Sequence, residues 1–205
     1  MIDIDGLVVR RGDTVVLDGF SAWIAEGETV RVAGANGCGK STLLNVLAGL
    51  HRPTAGRVTV AGQPPGDRAV RALRGFLQEP PPLYEHLTVW EQLALIAGLW
   101  GLRTGKLLER ADALGLADRQ DNLVGELSLG QRKKLGFVCA TAHDPELLLL
   151  DEPFNALDET AERAVRDDLD RRRKDGRTIV LVSHTTAPVT GLLDRTIELT
   201  ARQDA

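Results

Sequence analysis

Eight consecutive residues constrain this chain more than any others: Gly34-Ala35-Asn36-Gly37-Cys38-Gly39-Lys40-Ser41. They fit G-x-x-x-x-G-K-[ST] completely. They also stand where that pattern needs them, after a short apolar strand, Val30–Ala33, and before a helix with apolar positions at Leu43, Leu44, Val46 and Leu47. The glycines let successive backbone N–H groups turn inward around the β- and γ-phosphates of a nucleotide. The helix N-terminus adds its partial positive charge. Lys40 would reach the phosphates and the Ser41 hydroxyl would coordinate Mg²⁺. Gly34, Asn36, Gly37, Cys38, Gly39, Lys40, Ser41 and Thr42 are therefore candidate nucleotide contacts. A glycine-rich turn ahead of a helix is the bland alternative, and Lys-Ser at the required offset disfavours it.

Around this loop the pattern alternates between strand and helix. Residues 2–33 read as short strands at Asp3–Asp5, Leu7–Arg10, Thr14–Leu17, Phe20–Ile24 and Thr29–Ala33, with turns at Gly12-Asp13, Asp18-Gly19 and Glu26-Gly27. Another strand, Arg57–Val60, closes this section. After Gln78 comes the proline-rich segment EPPPLYEHLT, and from there to about Ala142 the pattern is mostly helical. Thr88…Glu91 and Ser128…Gln131 both have the form of a capping box. Leu147–Leu150 is a continuous apolar run, as expected of a strand buried on both faces of a parallel sheet. A charged helix over about 158–174 and a second apolar strand, Thr178–Val182, come next. The expectation is one α/β domain over 1–205: a phosphate-loop NTPase core with a parallel sheet, an N-terminal antiparallel β part and a helical subdomain inserted at about 80–142. The last residues, Arg202–Ala205, are expected to fray.

Composition narrows the partners. Lysine plus arginine number 25 against 29 acids, a formal net charge of −4. That balance gives no electrostatic footprint for nucleic acid. Cys38 and Cys139 lie far apart and suggest neither a disulfide scaffold nor a zinc site. No apolar run approaches the roughly 20 residues that span a bilayer. The start carries acids where a leader peptide would be basic. A soluble, cytoplasmic chain is expected, so any membrane part must come from another chain.

Asp151-Glu152 ends the apolar strand, which places both carboxylates at the carboxyl edge of the sheet, where open α/β folds bind ligands. Asp151 is a candidate to support Mg²⁺, and Glu152 is a candidate general base toward an attacking water. Two acids after a strand more often cap a helix, and the phosphate loop reverses that preference. Ser128 precedes a helix with unpaired N–H groups, a second anion site far from the first in sequence.

These motifs together resemble the ABC ATPases over nearly the whole chain. Leu127-Ser128-Leu129-Gly130-Gln131 is similar to that family's signature, Asn155-Ala156-Leu157-Asp158 to its D-loop, and His184 falls at its switch histidine. The resemblance implies two subunits facing head to tail, with Ser128, Gly130, Gln131 and Asp158 of one closing on the ATP held by the other. It implies that His184 contacts the γ-phosphate.

The chain departs from the family in places. Arg11 stands where an aromatic ring often stacks on adenine. The linker glutamine has an uncertain register: counting from Gly75 and from Leu83-Tyr84 puts Glu79 there, while the actual glutamine, Gln78, is one residue earlier. Cys38 and Phe154 replace smaller or hydroxylated residues. Arg171–Lys174 reads as a solvated helix end, and Trp90, Leu93 and Trp100 as core or subunit contacts.

The resemblance implies an ATP-binding and ATP-hydrolysing subunit of an ABC transporter, peripheral at the inner membrane face. It would work with a second ATP-binding subunit and multi-span membrane subunits. EPPPLYEHLT resembles export-type subunits, including drug, lipid and haem exporters. The alternative is a soluble non-transport ABC ATPase. The chain shows neither a long coiled-coil insertion nor a second cassette, which disfavours it. A catalytically silent partner is disfavoured by Glu152 and His184.

Overall fold

The structure, a computed structural model, describes residues 1–184 and 189–200. The predicted fraying of Arg202–Ala205 lies outside them. Two sheets form. Strands β1 (Ile2–Arg11), β2 (Thr14–Ile24) and β4 (Ala55–Val60) make an antiparallel sheet in the order β2-β1-β4. Strands β3 (Thr29–Gly34), β5 (Arg74–Leu77), β6 (Leu147–Asp151), β7 (Thr178–Val182) and β8 (Arg195–Leu199) make a parallel sheet in the order β5-β6-β7-β3-β8. Among the described residues six α-helices accompany them: α1 (Lys40–Leu47), α2 (Arg68–Leu73), α3 (Val89–Trp100), α4 (Thr104–Ala113), α5 (Leu129–Ala140) and α6 (Glu159–Lys174).

The first sheet corrects one sequence-based expectation. The breaks expected around Gly6 and at Asp18-Gly19 are not chain reversals. They are irregularities inside two long strands, where the register shifts between Ile4 and Leu7 and between Leu7 and Val9. Apolar residues alternate as Ile2, Ile4 and then Leu7, Val9, so the parity flips by one at Gly6. The same flip separates Leu17 from Phe20, Ala22 and Ile24 in β2. An inserted residue in each strand returns the apolar side chains to the core face, which a regular pleat would have turned outward.

The parallel sheet is the core. Its central strands read as unbroken apolar runs because helices or sheet cover both faces. Leu147, Leu149, Val180 and Val182 pack on the side of α1 and the antiparallel sheet. Leu148, Leu150, Ile179 and Leu181 pack on the side of α5 and α6. Both capping boxes form: Ser128 accepts from the Gln131 N–H while the Gln131 amide oxygen accepts from the Ser128 N–H at 2.9 Å, and Thr88 and Glu91 do the same.

The basic end of α6 also departs from expectation. Arg172 is only 2% exposed, paired to Asp168 at 2.7 Å and Asp144 at 2.8 Å. It ties α6 to the turn after α5 instead of lying solvated. Its neighbours Arg171 and Lys174 are exposed as expected, and Arg173 is partly exposed. Leu93 is buried, whereas Trp90 and Trp100 remain partly exposed, Trp100 stacked on His143 at 3.7 Å between ring centroids.

Candidate functional site

Three adjacent strands, β6, β7 and β3, end side by side, and the segments leaving their carboxyl ends converge on one cavity of about 430 Å³. The loop after β3 contributes Asn36, Gly37 and Gly39, and the start of α1 contributes Lys40, Ser41 and Thr42. The end of β6 supplies Asp151 and Glu152, and the end of β7 supplies Val182 and His184. Arg11, Val16 and Glu79 complete the lining. Gly39 opens α1 at φ +101, and a Cβ there would come within 2.8 Å of Leu17 and 3.1 Å of Val16. The loop passes so close to β2 that only a glycine fits.

The strand pleat sorts the acids. Asp151 shares parity with Leu147 and Leu149, on the α1 side of the sheet, so its carboxylate faces the first turn of α1, where Ser41 lies. Burial pushes the Asp151 carboxyl above the ordinary carboxylate range, against the opposing pull of the Ser41 hydroxyl and of Lys133, Lys40 and His184. A buried carboxylate beside a hydroxyl is a donor set that suits a hard divalent cation. Among the described residues no group of three or more His, Cys, Asp or Glu could hold a metal. A cation shared with phosphates needs only one or two protein oxygens, which Ser41 with Asp151 could offer.

Glu152 sits in the left-handed region at φ +48. Its N–H donates to the Val182 carbonyl at 3.0 Å, and its carboxylate accepts from the His184 N–H at 3.3 Å. The Lys40 ammonium donates to the carbonyls of Gly34 at 2.8 Å and Ala35 at 2.9 Å, which closes the loop on itself. Cys38 is buried beneath the loop, and Gly34 lies against the backbone of Leu199.

Of the two linker residues, Glu79 lines the cavity. Gln78 instead donates to Asn45 Oδ1 on α1 at 3.1 Å.

Ser128, Gly130, Gln131 and Asp158 are not brought to this cavity. Ser128 and Leu129 are exposed at the start of α5. Gly130 presses on the turn after β6, where a Cβ would lie 2.3 Å from the carbonyl oxygen of Ala156. Asp158 caps α6 through the Ala161 N–H at 2.9 Å and is paired with Lys134. One chain therefore carries a phosphate loop and, apart from it, an exposed helix N-terminus.

Three residues escaped the sequence reading: Val16, Val182 at the end of β7, and Lys133. Val16 forms a cavity wall because β2 crosses beneath the loop, a contact set by tertiary packing. Lys133, in the run Arg132-Lys133-Lys134, is fully buried behind the cavity. Burial pushes its amine down to about 8, partly offset by Asp151 and Glu152. The available signal was its i, i+4 relation to the core residue Phe137.

A parallel α/β sheet, a glycine-rich loop opening a helix and two acids at the carboxyl edge define a phosphate-loop NTPase fold. Residues 17–155 match the model of the family described as ABC transporter, and the chain belongs to that family. It is 35% identical over 200 residues to the Nod factor export ATP-binding protein I of Rhizobium sp., covering 95% of this chain and 66% of that protein. It is 37% identical over 195 residues to an aliphatic sulfonates import ATP-binding protein of Pseudomonas putida, covering 94% and 70%. Among solved structures, a dimeric bacterial ABC transporter cassette superposes with a TM-score of 0.83 at 26% identity, covering 98% of this chain and 94% of that one. The chain spans between 51% and 66% of the length of the first curated relatives it matches.

Proposed function

We propose that this chain binds and hydrolyses ATP as a subunit of an ABC transporter and completes its site only against a second ATP-binding subunit. The observation that carries the proposal is the convergence of Lys40, Ser41, Asp151, Glu152 and His184 on one cavity. In this reading the loop N–H groups and Lys40 hold the β- and γ-phosphates and take up charge that grows during transfer. Ser41 and Asp151 would hold Mg²⁺, which when bound supplies charge neutralisation between the phosphates. Glu152 would orient the attacking water and accept its proton. His184 would steady that carboxylate and reach the γ-phosphate. Arg11 would lie over the base.

Ser128, Gly130, Gln131 and Asp158 would act on the partner's nucleotide. A helix N-terminus binds anions only where one can reach it, and Ser128 is exposed and away from its own chain's loop. A second subunit in head-to-tail arrangement supplies the missing anion. No helix among the described residues is long and apolar enough to cross a membrane. In this reading multi-span membrane subunits carry the transport path, with this chain at the inner membrane face. The direction proposed is export, on the resemblance of the segment 79–88 to export-type subunits. Relatives named for export and for import both match the chain.

The test is Glu152→Gln, which keeps the shape and removes the base. The variant should bind Mg²⁺-ATP, turn over slower by roughly 10²–10⁴, and shift from one to two subunits by size measurement when ATP is added. A variant that stays monomeric with ATP bound, alone and mixed with its natural partner chain, would contradict the two-subunit site.

A further inference from the structure

Lys133 has no task in the proposed mechanism. Its side chain is 1% exposed, an expensive place for an ammonium unless partners surround it. Three do. It pairs with the carboxylate of Glu79, and its Nζ donates to the backbone carbonyls of Glu152 at 3.1 Å and Asp151 at 3.4 Å. One cation on α5 thus touches both segments that deliver acids to the cavity, the linker after β5 and the end of β6.

The charge pattern gives that contact a meaning. Glu79, Asp151 and Glu152 are three carboxylates in one cavity lining, and the cations that share it are Lys40, Arg11 and, when protonated, His184. Phosphates brought there meet a wall that is acidic on one side. Lys133 lies outside the lining, behind that wall. A charge within a few ångströms in a poorly solvated setting acts far more strongly than in water.

We infer that Lys133 is a positioning residue of the nucleotide site: its ammonium compensates Glu79 from behind the cavity wall and fixes the carbonyls of Asp151 and Glu152, so that phosphate meets a neutralised linker. The inference rests on the proposed nucleotide binding. It ties α5, which Ser128 caps, to the composition of the pocket on its own chain. It makes Glu79 and Lys133 one unit, in which removing the cation alone is worse than removing both charges.

The experiment measures ATP affinity of the full chain in EDTA, without Mg²⁺, for the parent, Lys133→Met, Glu79→Gln and the double variant, with urea midpoints alongside. Lys133→Met should weaken ATP about tenfold, because an uncompensated carboxylate then faces the phosphates. Glu79→Gln should bind at least as tightly as the parent, and the double variant should return to within about threefold of it. A double variant as weak as Lys133→Met, or a Lys133→Met variant that binds like the parent, overturns the inference. Lys133→Gln repeats the comparison with a neutral donor kept toward the two carbonyls. If Lys133→Met folds only when Glu79→Gln accompanies it, the compensation is supported. If neither folds, and Lys133→Gln binds like the parent, Lys133 is a structural residue and the inference fails. A parent chain that does not bind ATP overturns the nucleotide reading and this inference with it, whereas a parent that binds, with additive losses in the double variant, overturns the inference alone.

Discussion

His184 Nε2 lies 3.4 Å from Glu152 Oε1, while the His184 N–H donates to the other carboxylate oxygen at 3.3 Å. The two residues follow neighbouring strands, β7 and β6, whose register pairs Asp151 with Val182. Sheet pairing therefore sets the distance between them, and the end of one strand holds the carboxylate that ends the other.

This geometry separates holding from chemistry. His184→Ala should lower turnover about 10²-fold, less than Glu152→Gln at its upper bound, while ATP affinity changes by less than about threefold. Phosphate release under saturating ATP checks it. Equal turnover in parent and His184→Ala would mean that the contact with Glu152 has no part in hydrolysis.

The linker gives a ranking. Glu79 lines the cavity and Gln78 is turned to Asn45. Glu79→Ala should impair Mg²⁺-dependent turnover about tenfold more than Gln78→Ala, since a carboxylate in the lining can approach the metal or its water. Steady-state rates across a Mg²⁺ series decide, and the opposite order would give the role to Gln78.

Arg11 is exposed at the cavity edge. A guanidinium over a base at such a site is worth about 0.5–1 kcal/mol, so Arg11→Ala should weaken ATP only about two- to fivefold. Arg11→Tyr should bind at least as well as the parent, since a ring restores stacking area. ATP affinities that move in neither variant would remove Arg11 from base binding and leave the phosphate site intact.

Local patterns were more legible than long-range pairing. The segment Gly34–Ser41 ahead of α1 and both capping boxes are carried by spacing, Asp151-Glu152 takes its reading from the loop beside it, and β6 and β7 announce themselves because both faces are covered. What stayed hidden depends on distant partners. Strands β5 and β8 each pair on one side only, with no steady apolar pattern to mark them: β8 is mostly exposed and β5 mixes partly and fully buried positions. The parity flips at Gly6 and between Leu17 and Phe20 look like turns until the opposing strand is in place. Lys133 and Arg172 sit in basic runs that resemble solvated surface, and only the fold brings acids to them.

Arg172 offers a stability test. Arg172→Ala removes the buried partner of Asp168 and Asp144, which keep Arg171 and Arg177, and should cost about 2 kcal/mol, below the roughly 3–5 expected of a fully buried pair because Asp144 is half exposed and both acids stay paired. Burial pushes the Asp144 carboxyl up, but Arg177 and Arg172 outweigh it and hold it below the usual range. A carboxyl depressed on folding stabilises the fold above its unfolded value and loses that contribution as pH falls through the folded one. Urea midpoints should therefore drop as pH falls below about 4, less steeply in Asp144→Asn. Parallel curves for the two chains would assign the acid limb to other carboxyls.

Whether Gly34–Ser41 is a working nucleotide site is decided by titrating ATP into the parent chain and into Lys40→Ala, with phosphate release then measured for both. The parent should bind ATP and hydrolyse it in a Mg²⁺-dependent way. Lys40→Ala should weaken binding at least about tenfold and abolish hydrolysis, because the ammonium inside the loop, placed to take up phosphate charge, is gone. Equal binding and equal hydrolysis in the two proteins would mean that Gly34–Ser41 is not where this chain holds or cleaves ATP.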